Sequence, residues 1–410
     1  MDLSRPLFAL DPFAADAKAE AKRLLEAGPV VPVDVIGVPV WAVSHHAVAQ
    51  RIFEDPSFSM NSSNWGALQR GEVPAGWPLM KIITGQYMGT ADGEEHRRLR
   101  SLVSRAFTAR RVEALRPQIQ RIVDDLLEQL AAAPADEATD LKTAFAVPLP
   151  MGVICELFGV PDEQHDLLHS LCHALFDTTE QPTEVTATEE ALYRFMAELA
   201  ASKDADPGDD LTSLLAEQRT SGSITTDELV DTLILVLTAG HQTTINFFTN
   251  AFLALMTHPE QLARARAGEV SWESVTESVL AWDSPVSQGA FRYPAQDVEI
   301  GGVLIRAGEP MMMSYASLGR DPAQHGPLAG VFDAGRATRH LSFGHGPHFC
   351  VGAPLARLEA HIALPAFFDR FDPVLAVPRG AIEPVASLAL NGVRTVPALV
   401  RPRPKAVAGG

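Results

Sequence analysis

A helical stretch between Thr225 and Pro259 constrains the fold more than any other feature of the sequence. It begins with Thr225-Thr-Asp-Glu228, a capping box in which the threonine and the glutamate satisfy each other's free backbone donors. Nothing breaks the helix before Pro259, so it runs for about 33 residues, or roughly 50 Å. A helix this long crosses a whole domain, and we therefore expect residues 1–410 to form one domain.

The same stretch has the length of a membrane span, because residues 232–259 contain no charged side chain. Polar residues interrupt the apolar run at Gly240, Gln242, Asn246 and Asn250, and no cluster of Lys or Arg flanks it as an anchor. The pattern therefore favours a helix buried inside a soluble protein, with no membrane contact.

Charge and cysteine content narrow the function. Acidic residues outnumber basic ones by 51 to 33, and the formal net charge of −18 has the wrong sign for a general binder of nucleic acid. The three cysteines, Cys155, Cys172 and Cys350, are too few and too dispersed for a disulfide framework. Because the N-terminus also lacks an apolar signal segment, we expect a cytoplasmic protein.

Apolar residues at helical spacing predict a mainly α chain with small β-sheets. A hairpin is expected over residues 30–43, turning at Ile36-Gly37, with further strands between 291 and 313 and a last hairpin near 388–394. Residues 57–89 have little periodicity and are expected to form a long functional loop. Besides the long helix, the predicted helices are 12–27, 46–54, 94–106, 109–132, 145–158, 162–176, 188–202, 271–282 and 350–368.

The segment Phe343-Gly-His-Gly-Pro-His-Phe-Cys350-Val-Gly352 places one cysteine among close glycines at the start of a helix. The free N–H groups of a helix N-terminus favour a thiolate, and glycines let a flat cofactor lie against the backbone. A thiolate of this kind suits a soft metal. The alternatives are a buried structural cysteine and a zinc site that adds His340, His345 and His348, although one short run of backbone rarely wraps four ligands around zinc.

The pattern F-G-x-G-x-H-x-C-x-G resembles the haem-binding loop of the cytochrome P450 family, of the bacterial soluble type, and the similarity extends over nearly the whole chain. The resemblance implies a triangular, mainly helical domain with a long central helix. It also implies that Cys350 is the axial thiolate of haem b, with His348 near a haem propionate and Phe343, Gly344 and Gly352 forming the loop against the haem. Such a thiolate favours O–O cleavage.

Further matches imply residues that hold the propionates and the oxygen site. Asp92-Gly-Glu-Glu-His96-Arg-Arg-Leu-Arg100 resembles the family's propionate-binding helix, and Arg292 occupies the place of a third propionate ligand. Ala239-Gly240-His-Gln242-Thr243 resembles the oxygen-binding motif, in which Thr243 would assist proton delivery. For His96 and Arg100 the alternative is a solvated surface pair, and for Arg292 it is an arginine at a strand edge. For Gly240 and Thr243 it is a packing glycine followed by a threonine that bonds back to its own helix.

Two departures from the family pattern stand out. Gln242 replaces the usual acid, and an amide cannot relay a proton as a carboxylic acid can. We expect the side chain of the neighbouring His241 to pack against other residues. The usual Glu-x-x-Arg pair is also missing, because Ser278 and Ala281 occupy its positions. Arg336, the expected partner of that pair, is therefore predicted to bond to backbone carbonyls or another acid, with Trp282 filling part of the space.

The resemblance also suggests a substrate pocket and an electron donor. No flavin or nicotinamide motif is present, so ferredoxin and its reductase are expected as donors, with a basic docking surface near Arg97, Arg98, Arg105, Arg110 and Arg111. Trp65, Trp77 and Met80 are expected to anchor a lid over the substrate or, equally, to plug the loop onto the core. The other expected pocket residues are Phe176, Leu235, Val286, Ser287, Gln288, Leu388 and Ala389.

The predicted function is oxidation of a small molecule of specialised metabolism by oxygen activation at the haem iron. Hydroxylation and oxidative C–C or C–N coupling of an aromatic or peptide-derived substrate both remain open, and the missing acid favours coupling slightly. A non-catalytic haem sensor or ligand carrier is the alternative, and a structural zinc protein is a third.

Overall fold

The computed structural model describes residues 1–13, 15–85, 87–176, 182–336 and 339–403. Most of them form helices, as predicted. The helices are α1 Ala17–Ala27, α2 His46–Glu54, α3 Gly66–Gln69, α4 Met80–Thr84, α5 Gly93–Ser104, α6 Ala109–Ala114, α7 Arg116–Ala132, α8 Pro148–Phe158, α9 His165–Phe176, α10 Pro182–Ala205, α11 Leu211–Thr220, α12 Thr226–Thr257, α13 Pro259–Arg266, α14 Trp272–Trp282, α15 Tyr315–Leu318, α16 Pro322–His325 and α17 Ala353–Arg370.

The strands form small sheets, of which the largest has the order β1-β2-β3-β9-β6-β4. The predicted hairpin is present, with Val30 opposite Val43 and positive φ angles of 54° at Ile36 and 80° at Gly37 in its turn. The strands are β1 Phe8–Ala9, β2 Val30–Val35, β3 Val38–Val43, β4 Phe58–Ser59, β5 Ala138–Asp140, β6 Gln288–Pro294, β7 Val298–Ile300, β8 Val303–Ile305, β9 Met311–Ser314, β10 Phe371–Leu375 and β11 Pro397–Pro402.

Helix α12 is the centre of the helical core and packs against α8, α10, α14 and α17. Its capping box forms as predicted, since Glu228 N donates to Thr225 Oγ1 over 3.1 Å and Thr225 N donates to Glu228 Oε2 over 2.8 Å. One polar side chain in its apolar run joins it to distant segments, because Asn250 Nδ2 donates to the carbonyl oxygens of Asp283 and Asn391. Among the described helices, α12 included, none meets the length and apolarity needed to cross a membrane.

Several element boundaries differ from the prediction for local reasons. Helix α1 begins at Ala17 because Asp16 caps it, accepting from Ala19 N over 2.9 Å. Helix α17 begins at Ala353, so Cys350 lies just before the helix rather than in it. The loop 57–89 contains β4, α3 and α4, and α11 was not predicted. Near the C-terminus, isolated bridges pair Pro384 with Val393 and Leu390 with Val286, in place of the predicted hairpin over residues 388–394.

Candidate active site

The segment before α17 holds Cys350 in a tight turn. Cys350 N donates to Phe343 O over 2.8 Å, and Gly344 and Gly346 have φ angles of 69° and 68°. A Cβ atom at Gly346 would lie 2.6 Å from Phe53 O, so a glycine is required there. The thiol is half-buried. Burial raises its pKa, and the N–H groups of Gly352 and Ala353 lower it by less. The helix terminus by itself therefore does not produce the thiolate that the sequence suggested, whereas a bound cation would.

Cys350 opens onto a cavity of about 440 Å³ that lies between α12, α5, β6 and the cysteine turn. Residues that are hundreds of positions apart in the chain meet in its wall. The predicted site residues found there are His96, Arg100, Leu235, Ala239, Gly240, Thr243, Val286, Arg292, Phe343, Gly344, His348, Cys350 and Gly352.

A cluster of cationic and imidazole side chains forms one side of this cavity. The rings of His96 and His348 lie 3.9 Å apart at an angle of 30°. Arg292 is 2% exposed, and its hydrogen bond in the structure goes to the carbonyl oxygen of Phe291. Arg100 donates to Phe349 O over 2.5 Å. Within the described ranges, neither arginine forms an ion pair with a carboxylate.

These groups leave charge and hydrogen-bonding capacity unused. Burial lowers the pKa of Arg292 to about 10, and burial together with neighbouring cations lowers the pKa of His348 to about 3. His96 Nε2 is buried without a hydrogen-bond partner among the residues described. Because a buried cation that lacks an anion is costly, the cluster fits a ligand that brings carboxylate groups, as haem does.

The middle of α12 forms the opposite wall. Thr243 Oγ1 donates to Ala239 O over 2.5 Å, so in this structure the hydroxyl bonds back to its own helix. A Cβ atom at Gly240 would contact only Ile154, at 3.8 Å, so protein packing does not demand this glycine, which borders the cavity. Gln242 is half-buried and lies outside the wall. His241 is buried, and burial lowers its pKa to about 4, as expected of a packing residue.

The predicted lid residues lie elsewhere. Trp65 and Trp77 are 1% and 3% exposed, Trp65 stacks on Tyr293, and Trp77 Nε1 donates to Val35 O over 2.9 Å. This placement corrects the expectation of a lid over the substrate, because both rings plug the loop onto the core. Met80 packs beside this aromatic cluster, outside the cavity wall.

Of the remaining predicted pocket residues, Gln288, Leu388 and Ala389 line a second, smaller cavity. Ser287 lines neither cavity, because it is buried and its backbone N–H donates to Ala389 O over 2.8 Å. Phe176 ends α9, and its side chain lies outside the described part of the structure.

The segment that precedes the cysteine turn is held without a Glu-x-x-Arg pair. Arg336 donates to the carbonyl oxygens of Leu328, Ala329 and Val331, which confirms the prediction made for it. Ser278 Oγ, at the position of the missing acid, donates to Ala334 O over 3.1 Å and to Arg336 O over 3.2 Å. Serine–carbonyl bonds thus replace the expected ion pair.

Histidines near Cys350 do not assemble a zinc site. His340 Nε2 lies 3.0 Å from Glu277 Oε2, and His345 Nε2 lies 2.6 Å from Glu54 Oε1. Across the described residues, no group of three or more His, Cys, Asp and Glu side chains is placed to hold a metal ion.

Several residues of the cavity wall were not predicted from the sequence, and one of them is a buried acid. Glu359 lies on α17, is 3% exposed, and its Oε2 has no hydrogen-bond partner in the described part of the chain. Burial raises its pKa to about 8. An acid between the apolar residues Leu358 and Ile362 was the available signal, because carboxylates are seldom fully buried.

A half-buried cysteine below a glycine-bearing long helix, with unpaired cations beside it, is the arrangement of the haem-thiolate oxidoreductases. The cytochrome P450 family model matches residues 151–270 and 283–390. The chain belongs to the cytochrome P450 family, whose members carry haem iron ligated by a thiolate and take electrons from redox partners.

The relatives cover the chain almost completely. It is 41% identical to 2-hydroxy-5-methyl-1-naphthoate 7-hydroxylase of Streptomyces carzinostaticus, over 98% of this chain and 99% of that one. The structure of CYP154C4 from Streptomyces sp. W2061 superposes with a TM-score of 0.91 and 42% identity, covering 98% and 100% of the two chains. CxnD, a P450 for C–S bond formation in chuangxinmycin biosynthesis, superposes with a TM-score of 0.85 and 31% identity over 97% and 98%. Two of these relatives are named for the reactions that they catalyse, and the chain is accordingly an enzyme rather than a sensor or carrier.

Proposed function

We propose that the protein is a ferredoxin-dependent monooxygenase of specialised metabolism that hydroxylates an aromatic small molecule, with Cys350 as the axial ligand of haem b. The observation that carries the proposal is the position of Cys350 in a cavity that Thr243 faces from α12 and that Arg100 and Arg292 border. The proposal takes residues 1–410 as one domain, in keeping with the central place of α12.

Each wall of the cavity has a role in this proposal. Arg100, Arg292, His96 and His348 would bind the two haem carboxylates, which supply the anions that this cluster lacks. Phe343, Gly344 and Gly352 would lie against the haem face. The bound haem supplies reductive activation of oxygen, a chemistry that side chains do not perform alone.

Thr243 is the proposed proton-handling group. Its hydroxyl now donates to Ala239 O, and rotation about χ1 would turn it into the cavity, where it can both accept and donate a proton. Gln242 lies outside the wall, so the proposal assigns it no proton transfer. Water reaching Thr243 would supply the proton.

Aromatic hydroxylation is supported by the apolar character of the cavity and by the relative that is named as a naphthoate hydroxylase. Leu157, Leu235, Phe247 and Val286 line the same cavity as Thr243 and suit a flat apolar ring. Oxidative coupling is the second candidate. It is supported by CxnD, a relative named for C–S bond formation.

A reduced ferredoxin is the proposed electron donor, which places the enzyme in the cytoplasm. Arg105 and Arg110 are exposed and form no ion pair with a described residue, so they can face an acidic protein. Arg98 and Arg111 are already paired, with Glu228 and Asp209. The proposed docking surface therefore includes fewer than the five arginines that the sequence suggested.

The test is the absorption spectrum of the purified protein, reduced under carbon monoxide, for the wild type and Cys350→Ala. A strongly red-shifted Soret band that the variant lacks would support thiolate ligation by Cys350. An unshifted band, or the same band in the variant, would overturn it. Incorporation of ¹⁸O from ¹⁸O₂ into a naphthol-type product then separates hydroxylation from coupling, because coupling adds no oxygen.

A further inference from the structure

Tyr315 adds a phenol to the wall of the cavity onto which Cys350 opens. It follows β9 as the first residue of α15, where residues 311–314 and 316–318 are buried. Tyr315 itself is half-buried, and because it lines the cavity, its exposed part faces that space. Its hydroxyl forms no hydrogen bond with any residue that the structure describes. Since a buried phenol usually has a hydrogen-bond partner, this one is available to a molecule in the cavity.

Packing holds the ring of Tyr315 in place. The ring stacks on Phe53 of α2, with the ring centres 6.4 Å apart and the ring planes at 28°. The guanidinium carbon of Arg292 lies 5.2 Å from the centre of the same Phe53 ring, so Phe53 contacts both the phenol and the buried arginine. The stacking involves only the ring, and a phenylalanine would provide it equally well. It therefore does not account for the hydroxyl.

The phenol is a hydrogen-bond donor beside a buried cation. Burial raises the pKa of Tyr315 to about 12, and the positive charge of Arg292 offsets only part of this. The hydroxyl therefore keeps its proton at neutral pH and can donate it in a hydrogen bond. Arg292 is 2% exposed and has no carboxylate partner among the described residues. A carboxylate that binds Arg292 in this part of the cavity would meet an N–H donor and an O–H donor together.

Cys350 is the other group that the phenol could serve. Both residues are described, and no hydrogen bond joins the hydroxyl to Cys350 Sγ. Arg292 also acts on the phenol more strongly than Cys350 does. The position of Tyr315 thus favours a ligand group at Arg292 over the thiol.

We propose that Tyr315 is a further haem-binding residue, whose hydroxyl donates a hydrogen bond to the haem carboxylate that Arg292 binds. The inference rests on the proposed function, since it requires haem b in this cavity. Arg292 on β6 and Tyr315 on α15 would hold one carboxylate from two elements and slow the loss of the haem. Tyr315 has no part in the oxygen chemistry in this proposal.

The experiment measures the rate at which the loaded protein loses its porphyrin to an excess of apomyoglobin. The two porphyrins compared are haem b and iron etioporphyrin, which has alkyl groups in place of the carboxylate side chains. Tyr315→Phe removes the hydroxyl and keeps the ring on Phe53. Tyr293→Phe is the matched control, because the Tyr293 hydroxyl is also buried without a hydrogen-bond partner among the described residues but lies outside the cavity wall.

We expect Tyr315→Phe to lose haem b about tenfold faster than the wild type, the effect of one hydrogen bond to a charged group. It should lose iron etioporphyrin at the wild-type rate, because this porphyrin has no acceptor for the hydroxyl. The control should change neither rate. A wild-type rate of haem b loss in Tyr315→Phe would overturn the proposal. Equal acceleration with both porphyrins would also overturn it, because the hydroxyl would then act on packing and not on the carboxylate.

The two proposals fail separately. Faster loss of haem b alone, in a protein that lacks the red-shifted Soret band, would support the role of Tyr315 and remove Cys350 as the axial ligand. An unchanged rate in a protein that shows this band would remove the role of Tyr315 alone.

Discussion

Glu277 and Arg357 form a two-point ion pair that joins α14 to α17, with Glu277 Oε1 2.6 Å from Arg357 Nε and Oε2 2.9 Å from Nη2. The same carboxylate bonds to His340, and the Arg357 guanidinium lies 4.6 Å from the centre of the Phe343 ring. Helix α14, which lacks the Glu-x-x-Arg pair, therefore still carries an acid that stabilises the cysteine turn. That acid stands one position before the expected one.

The first prediction concerns Glu277→Gln. Burial raises the pKa of Glu277, but the hydrogen bonds from Arg357 and His340 outweigh it and lower the pKa to about 2. A lowered carboxyl pKa stabilises the fold above its ordinary value of 4.5, and this stabilisation is lost as the pH falls toward 2. Urea unfolding should show the variant less stable by about 2–3 kcal/mol at pH 7, with the difference closing below pH 4.

An equal loss of stability at pH 3 and pH 7 would contradict this account. Glu94→Gln is the matched control, because Glu94 has a 97% exposed side chain and its nearest basic atom, on Arg97, is 3.9 Å away. We expect no measurable pH-dependent change for it.

The sequence could predict elements that local rules govern. The capping box at Thr225, the glycine turn after Ile36 and the glycines around Cys350 all specify backbone conformation within a few residues. Arg336 could also be placed, because the absence of its partners is visible in the sequence. Glu277 could not be placed in the same way, since its partner Arg357 lies 80 residues away and only the packing of α14 on α17 brings them together.

The position of the tryptophans could not be predicted for a similar reason. Trp65 and Trp77 occur in a stretch without periodicity, so nothing local distinguishes a core plug from a lid. Their burial depends on contacts with Tyr293, Phe291 and Val35 from distant strands.

The second prediction restores the missing pair. Ser278→Glu alone should aim a carboxylate at the carbonyl oxygens of Ala334 and Arg336, and we expect it to destabilise the protein by about 2–4 kcal/mol. Adding Ala281→Arg gives the carboxylate its family partner and should recover at least half of the loss. Thermal unfolding of Ser278→Glu, of Ala281→Arg and of the double variant measures the coupling free energy between the two positions. Strictly additive effects would show that this site cannot accommodate the pair.

The third prediction concerns Arg292→Met. The wild-type arginine is buried without a carboxylate partner among the described residues, so removing its charge should leave the haem-free protein as stable as before or more stable. Haem affinity should fall at least tenfold, because a carboxylate loses its buried cation. Haem titration and unfolding of the haem-free protein test the two halves. A variant that loses stability in both forms would make Arg292 a structural residue only.

The fourth prediction contrasts Thr243 with Gln242. Thr243 lines the cavity and Gln242 does not, so Thr243→Ala should reduce product formation at least tenfold and divert consumed oxygen to peroxide. Gln242→Glu should change product yield by less than about threefold, because its carboxylate would lie outside the wall. Product and peroxide are measured against reductant consumed. A large gain from Gln242→Glu would place residue 242 in the proton path.

The last prediction uses Glu359, the buried carboxyl of the cavity wall. Burial raises its pKa to about 8 from an ordinary value of 4.5, so between these values the unfolded chain loses a proton that the folded chain keeps. The contribution of Glu359 to stability is therefore greatest below pH 4.5 and declines as the pH rises toward 8. Glu359→Gln removes this decline, and its urea unfolding free energy relative to the wild type should increase by on the order of 3 kcal/mol between pH 5 and pH 8. A difference that stays constant with pH would contradict the raised pKa of Glu359.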